Sequence, residues 1–170
     1  MKLPDATQLI RDLAQQLKPH VTGNSAMVGI HTGGAWVAQK LHRQLGADIP
    51  LGTLDISFYR DDFSRIGLHP QVKPSDIPFD VEGRDIILVD DVLYTGRTVR
   101  AAMNELFDYG RPASVKLAVL LDRGGRELPI EAQWAGALLP LAPDQNIELS
   151  LDPQGNLRLT LRQQTAGEAT

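Results

Sequence analysis

The chain has no cysteine among its 170 residues, which excludes disulfide bonds and thiolate metal sites. No apolar run approaches the roughly 18 residues that a membrane-spanning helix requires, and the N-terminus lacks the basic start and apolar core of a secretion signal. Neither a GxxxxGK[ST] phosphate loop nor a GxGxxG dinucleotide loop occurs. These absences predict a soluble, cytoplasmic protein without a membrane partner.

Positive charge is also scarce. Lysine and arginine total 17 against 21 aspartates and glutamates, which gives a formal net charge of −4. A protein that binds RNA mainly through phosphates is expected to carry a basic excess or a basic stripe, but here these residues are scattered. The balance argues against strong nonspecific binding of nucleic acid and leaves a local basic patch open.

Length and composition fit one globular domain. A hydrophobic content of 42% and a charged content of 22% lie near the averages of globular proteins, and 170 residues can bury a core of their own. We predict a single domain over residues 1–163 and a small, polar, flexible tail over residues 164–170.

Apolar periodicity predicts strands that alternate with helices through the first two thirds of the chain. Helices are predicted over 5–18, 35–45 and from Thr98 to about Gly110, and strands over 26–30, 51–58, 86–89, 114–121, 134–138, 147–151 and 157–161. Residues 61–83 hold three prolines and two glycines, which predicts a long mobile loop. The alternation indicates an α/β protein with a mainly parallel sheet flanked by helices.

The segment from Ile86 to Leu106 is the most informative about function. Its apolar start predicts a strand buried on both faces, which ends at two adjacent acids, Asp90 and Asp91. A turn, Tyr94–Thr98, leads into a helix whose unpaired N–H groups and positive dipole end point back at the turn. This order of residues predicts a phosphate cup.

Side chains of the turn support the same interpretation. Thr95 and Thr98 add hydroxyls, Gly96 permits close backbone approach, and Arg97 adds positive charge. Each of them also has an ordinary explanation, since either threonine could be a plain helix cap and Gly96 a plain turn glycine. The combination with two repelling carboxylates favours a ligand.

Ligands of open parallel sheets bind at the carboxyl ends of the strands, and three predicted strands have polar loops there. His31, Thr32, Gly33 and Gly34 follow the first and form a second place for an anion, with a structural turn as the alternative. Asp122, Arg123 and Gly124 follow the strand that ends near Leu121, with an ordinary charged loop as the alternative.

Arg60 opens the predicted mobile loop. Its guanidinium offers a fork of hydrogen bonds to an anion such as a phosphate, while the alternative is a weak surface ion pair with Asp61 or Asp62. The four histidines, His20, His31, His42 and His69, lack the spacing of a metal site.

Across Ile86–Thr98 the chain resembles the 13-residue signature of the type I phosphoribosyltransferases. The sequence VDDVLYTGRT, with DISFYRDDF at 55–63, GRPASVKLAVLLDRGGRELPI at 110–130 and VGIHTGGAWVAQKL at 28–41, is similar more narrowly to the PyrR family. This similarity runs from about Met27 to about Trp134. It implies the type I phosphoribosyltransferase fold, with a small hood and a flexible loop.

The resemblance implies a regulator of pyrimidine biosynthesis that is also a uracil phosphoribosyltransferase, a glycosyltransferase that converts uracil and 5-phosphoribosyl 1-pyrophosphate (PRPP) to UMP and pyrophosphate. The implied partners are PRPP, uracil, UMP, a pyrimidine-operon mRNA leader and further copies of the chain. The implied cofactor is Mg²⁺ carried by PRPP, without strong direct protein ligands.

The resemblance also assigns roles to residues. The catalytic set is Asp90, Asp91 and Arg60, the base loop is Asp122–Gly124, and the pyrophosphate loop is His31–Gly34. PRPP binding is assigned to Asp90, Asp91, Val92, Leu93, Tyr94, Thr95, Gly96, Arg97 and Thr98. Relatives commonly have an arginine at the position of Gly33, so this chain lacks a charge that would meet the leaving pyrophosphate.

Three functional hypotheses follow. The first is the transferase, and the second is a regulator that binds RNA when UMP fills the same pocket. The N-terminal helix, which carries Arg11 and Lys18 but also Asp5 and Asp12, gives the second little support. The third is a nucleotide-binding protein of slow turnover, because of Gly33, that acts through a partner.

Overall fold

The structure is a computed structural model, and it describes residues 1–46, 48–56 and 75–164. Within these residues it shows three α-helices and a short 3₁₀ helix over Lys18–His20. The helices are α1 (Ala6–Leu17), α2 (Gly33–Leu45) and α3 (Arg97–Phe107). The strands are β1 (Ser25–Ile30), β2 (Leu51–Leu54), β3 (Asp85–Leu93), β4 (Ser114–Asp122), β5 (Trp134–Leu138), β6 (Gln145–Leu151) and β7 (Leu157–Gln163).

Five strands form one parallel sheet in the order β2-β1-β3-β4-β5, and β6 pairs with β7 as a separate antiparallel hairpin. The predicted α/β fold is therefore confirmed. The order reverses direction at β1, so that β1 and β3 are neighbours at the centre. In open α/β sheets this kind of reversal is where ligands bind.

Alternate residues of the central strands point to opposite faces, and the two faces are covered by different helices. Ile87 and Val89 of β3 belong to the apolar cluster that includes α1 and α2. Ile86 and Leu88 belong to the cluster that includes α3. The sheet is therefore the middle of three layers, as the apolar run at Ile86–Val89 predicted.

Local chemistry explains where the first two helices begin and end. Asp5 caps α1, because its Oδ1 accepts a hydrogen bond of 3.0 Å from the Thr7 N–H. Helix α2 stops at Gly46, whose φ of +60° is a left-handed conformation that favours glycine. In the described ranges, no helix combines the length and the apolar character needed to cross a membrane.

Asp85, the first residue of β3, is anchored by hydrogen bonds at the amino end of that strand. Its carboxylate accepts hydrogen bonds from the Ser114 hydroxyl at 2.8 Å and from the Asn24 side-chain amide at 3.1 Å. These two donors, Ser114 first, hold the pKa of Asp85 below its ordinary value. The acids at 90 and 91 lie further along β3, towards its carboxyl end.

The described part of the predicted loop at 61–83, residues 75–83, forms no helix or extended strand, but it packs against the core. Asp76 forms an antiparallel bridge with Thr53, with backbone N–H···O distances of 2.8 and 2.9 Å, and Val81 is fully buried. These residues pack on the core because their backbone groups and apolar side chains find partners there. Residues 57–74, which include the end of the predicted strand 51–58, lie outside the described residues, as do residues 165–170 of the predicted tail.

The central position of β3 generates a prediction about stability. Leu88 is fully buried between β1, β4 and α3, so Leu88→Ala should lower the free energy of unfolding by about 3 kcal/mol. Leu138→Ala, at a side chain that is 73% exposed, should change it by less than about 0.5 kcal/mol. Urea unfolding of both variants measures the difference, and equal losses would contradict the three-layer arrangement.

Candidate active site

Strand β3 continues past the residue at which the sequence predicted its end. Asp90 pairs with Val119 and Leu93 pairs with Asp122 of β4, so both acids lie within the strand rather than beyond it. The prediction that the strand ends at Val89 was therefore wrong, because the backbone of β4 provides ladder partners whatever the side chains are. The acids are still near the carboxyl end of the sheet.

Each acid is oriented by a bond to the next residue. Asp90, which is 5% exposed, accepts a hydrogen bond of 2.8 Å at Oδ1 from the Asp91 N–H. Asp91 is half-buried and accepts one of 2.8 Å at Oδ1 from the Val92 N–H. The Oδ2 atom of Asp91 faces the start of α2, where a Cβ placed on Gly33 would overlap it.

The start of α2 lies directly against these acids. A Cβ on Gly34 would come within 2.6 Å of the Val89 carbonyl oxygen and 3.0 Å of the Asp90 Cα, so only glycine allows this approach. The positive end of the helix dipole therefore stands beside two carboxylates, which it stabilises. In the same loop the peptide between His31 and Thr32 is cis.

The turn at Tyr94–Thr98 forms a small pocket at the start of α3. The helix begins at Arg97, one residue before the predicted start, and Gly96 takes a φ of +94°. The amides of a first helical turn lack acceptors within the helix, and one of them, the Arg97 N–H, donates to Thr95 Oγ1 at 3.2 Å.

The pocket at this turn has a volume of about 110 Å³. That is well below the roughly 300–1,000 Å³ of pockets that enclose a whole ligand, and it suits a small group such as a phosphate. Its lining includes Val99 and most of the residues assigned to PRPP: Asp90, Val92, Leu93, Tyr94, Thr95, Gly96 and Thr98.

The loop after β4 touches this turn. Asp122 Oδ1 accepts from the Gly124 N–H at 3.0 Å, and the Arg123 N–H donates to the Leu93 carbonyl at 3.1 Å. The guanidinium of Arg123, a residue that is 4% exposed, lies 3.8 Å from the centre of the Tyr94 ring, which is a cation–π arrangement. Arg123 is thus packed against the turn at Tyr94–Thr98.

Several sequence predictions can now be placed. The three loops that were predicted to meet lie side by side at the ends of β1, β3 and β4. Thr32 is exposed and makes no side-chain cap to α2. Arg60 lies outside the described residues. Within those residues no three His, Asp or Glu side chains come together as a metal site.

Gly125 and Arg126 lie in the loop that the sequence predicted after β4, but their contacts with Tyr94 were not predicted. Gly125 has a φ of +85°, and a Cβ there would overlap the Tyr94 ring. Arg126 bonds to both the loop after β4 and the turn at Tyr94. The Asp122–Arg126 spacing in a glycine-rich loop was the available signal, but it does not reveal a contact with a residue 32 positions away.

The volume of a pocket does not by itself identify the ligand site. A larger groove, of about 350 Å³, lies between α1, α2 and the turn of the β6–β7 hairpin. Its lining includes Lys40 and Arg43 and none of the residues predicted to bind ligand. Both cations lie in the second half of α2, where positive charge offsets the negative end of the helix dipole.

Comparisons with known proteins agree with the fold and with the motif. The family model described as "Phosphoribosyl transferase domain" matches residues 2–152. The chain is 58% identical over 154 residues to "Bifunctional protein PyrR" of Pseudomonas savastanoi pv. phaseolicola, which covers 88% of this chain and 91% of that protein. It is 51% identical to the protein of the same name from Pseudomonas putida GB-1, over 100% of this chain and 99% of the other.

Solved structures share the architecture. A hypoxanthine-guanine phosphoribosyltransferase from Bacillus anthracis superposes with a TM-score of 0.65 at 23% identity, over 82% of this chain and 84% of that chain. A hypoxanthine phosphoribosyltransferase from Staphylococcus aureus superposes with a TM-score of 0.61 at 25% identity, over 80% and 74% of the two chains.

The contact between Gly33 and Asp91 generates a prediction. Gly33→Ala should push the Asp91 carboxylate out of place and weaken the binding of UMP, the ligand that the resemblance implies, by about tenfold, the effect of losing one hydrogen bond to a charged group. Gly23→Ala, where a Cβ meets nothing within 4 Å, is the matched control. Calorimetric titration of both variants measures the difference, and unchanged affinity in Gly33→Ala would mean that Asp91 does not contact the ligand.

Proposed function

The chain belongs to the PyrR family of the phosphoribosyl transferases, pyrimidine-operon regulators with uracil phosphoribosyltransferase activity, and we propose that it performs both functions through one site at the ends of β1, β3 and β4. The observation that carries this proposal is the meeting of the acids at 90 and 91 with the turn at Tyr94–Thr98. Acceptors for ribose hydroxyls and donors for a phosphate then stand next to each other.

In the proposed binding mode the 5-phosphate of PRPP occupies the pocket at Tyr94–Thr98. Binding then replaces the bond between the Arg97 N–H and Thr95 Oγ1 with one to a phosphate oxygen, and the Thr95 hydroxyl becomes a donor. The ribose 2- and 3-hydroxyls donate to Asp90 and Asp91, and the pyrophosphate lies along His31–Gly34. The base lies near Asp122–Gly124.

The reaction needs no nucleophilic side chain. A ring nitrogen of uracil forms a bond to the anomeric carbon and loses its proton, while the bond from that carbon to the pyrophosphate oxygen breaks and pyrophosphate leaves with the electron pair. The anomeric centre passes through an oxocarbenium-like state, as at other glycosidic centres. Asp90 and Asp91 contribute by holding the ribose in the orientation that the displacement requires.

A divalent cation fits this site as a companion of PRPP. Asp91 Oδ2 is a carboxylate oxygen at the start of α2, and oxygen is the ligand atom that Mg²⁺ prefers. Bound Mg²⁺ supplies neutralisation of the pyrophosphate charge. We propose that Asp90 and Asp91 would hold it together with PRPP, and that Arg60 would contribute a further positive charge for pyrophosphate.

The assay that tests the enzymatic function follows UMP formation from PRPP, uracil and Mg²⁺. Wild-type protein should turn over, and Asp91→Asn should lower kcat/KM by about 10- to 100-fold because it weakens charged hydrogen bonds to the ribose. Asp108→Asn, at an exposed aspartate that ends α3, is the control and should leave kcat/KM unchanged. If folded wild-type protein formed UMP no faster than buffer alone, the proposal would be contradicted. UMP binding without turnover would favour the regulator of slow turnover.

We propose that UMP in this pocket controls binding of a pyrimidine-operon leader RNA. One pocket then serves as both active site and sensor, since a nucleotide that prefers the RNA-binding state raises RNA affinity by the same factor as RNA raises nucleotide affinity. The net charge of −4 favours recognition through a restricted surface over general attraction to phosphates.

A filter-retention titration of pyrimidine leader RNA, at moderate salt and with or without UMP, tests the regulatory function. We expect UMP to tighten RNA binding by roughly 5- to 150-fold, the usual range of coupling between two sites. Asp91→Asn should require more UMP for the same retention. Equal retention of RNA with and without UMP would contradict regulation through RNA, and only the transferase function would remain proposed.

We propose three further points, the first from the resemblance and the others from the composition and length of the chain. The protein acts as a homo-oligomer, a dimer or larger, and it works in the cytoplasm. Residues 1–163 act as one phosphoribosyltransferase domain, and residues 164–170 form a tail.

A further inference from the structure

Arg126 occupies an unusual position between two loops. Its side chain is 17% exposed, and its guanidinium bonds in three directions. Nη2 donates to Asp122 Oδ2 at 2.6 Å, Nη1 donates to the Tyr94 carbonyl at 2.9 Å, and Nε donates to the Ile130 carbonyl at 2.7 Å. One planar group therefore joins the end of β4, the turn that forms the phosphate pocket and the end of its own loop.

Backbone contacts hold the same two segments together. The N–H groups of Glu127 and Leu128 both donate to the Thr95 carbonyl, at 2.9 and 3.1 Å. The Tyr94 ring contacts the Arg123 guanidinium and closely approaches Gly125. The turn at Tyr94–Thr98 is thus bonded to the loop after β4 through backbone and side-chain contacts, and Arg126 is a side chain that bonds to both the turn and the end of β4.

Neutralisation of Asp122 alone does not explain this geometry. An ion pair with Asp122 needs one cationic donor, which a lysine also supplies. Arg126 instead uses three separate nitrogens, and two of them bond to main-chain carbonyls on opposite sides of the guanidinium. Only a planar fork with several donors makes these contacts at once.

We propose that Arg126 is a positioning residue that fixes the distance between the phosphate pocket and the base loop, and so selects ligands whose phosphate and base are separated as in a nucleoside 5-monophosphate. This proposal rests on the proposed function, because it takes the phosphate pocket and the base loop as two ends of one ligand site. A ligand that meets both ends at a preset separation gains from each without paying the cost of alignment twice.

The experiment compares two ligands in wild type, Arg126→Lys, Arg126→Met and Glu127→Gln. UMP reports on both ends of the site, and inorganic phosphate reports on the pocket at Tyr94–Thr98 alone. Both are titrated by NMR of the Gly96 amide, and thermal unfolding checks the fold. Glu127→Gln removes an exposed ion pair with Arg97 between the same segments and keeps the Glu127 backbone bond, so it is the matched control.

We expect Arg126→Lys and Arg126→Met to bind UMP about tenfold more weakly, as when two linked contacts lose their alignment, and to bind phosphate within about twofold of wild type. Glu127→Gln releases Arg97 beside the pocket, so it should change the affinities for UMP and for phosphate by the same factor. A purely structural role for Arg126 would weaken both ligands together or lower the unfolding temperature in proportion.

Wild-type affinity for UMP in Arg126→Lys would overturn the positioning role, because charge alone would then suffice. Arg126→Lys keeps a cation beside Asp122, so the test stands even if Arg126→Met does not fold. If wild-type protein bound neither UMP nor phosphate, the proposed function itself would fail, and that result is distinct from a UMP affinity that ignores residue 126.

Discussion

The direct contact of helix α2 with strands β1 and β3 is the constraint on which the rest of the site depends. A Cβ on Gly29 would lie 2.7 Å from the Gly34 carbonyl oxygen, and a Cβ on Gly34 would lie 2.6 Å from that of Val89. Because neither position has a side chain, the helix backbone rests on the strands without an intervening layer. The start of α2 is thereby brought to the same place as Asp90 and Asp91, and the helix dipole offsets their mutual repulsion.

The two sides of the site are held by different means. On the side of β1, glycines and close backbone packing bring the loop at His31–Gly34 to the acids. On the side of β4, hydrogen bonds from the loop after β4 fix the turn at Tyr94–Thr98, with Arg126 at their centre. The acids stand between the two on β3, the strand whose ladder with β4 continues to Leu93. A ligand that contacts all three loops therefore meets a largely preformed surface.

Periodicity and turn residues allowed most of the fold to be predicted, because the central strands are apolar on both faces and the helices have clear stripes. The errors have physical reasons. Aspartate is depleted in strands, so β3 was predicted to end at Val89, whereas its backbone pairs with β4 through the acids. The described end of the predicted loop at 61–83 is irregular, as its prolines indicate, but the bridge of Asp76 and the burial of Val81 depend on distant residues and were not predicted. The hydrogen bond from Arg126 to Tyr94 was not predicted, because the two residues are distant in sequence.

The structure changes the interpretation of Gly33. Its sequence context indicated only a missing arginine, and thus a weaker hold on pyrophosphate. With Asp91 placed as it is, any side chain at residue 33 would overlap the Asp91 carboxylate. Glycine therefore lacks the positive charge of an arginine but allows the start of α2 to lie against Asp91. The start of α2 supplies about half a positive charge from its backbone, where an arginine would supply a full one from a flexible side chain. The electrostatics at this end of the site therefore rest on the main chain, and a substitution that adds charge at residue 33 also has to move the acid that the charge would serve.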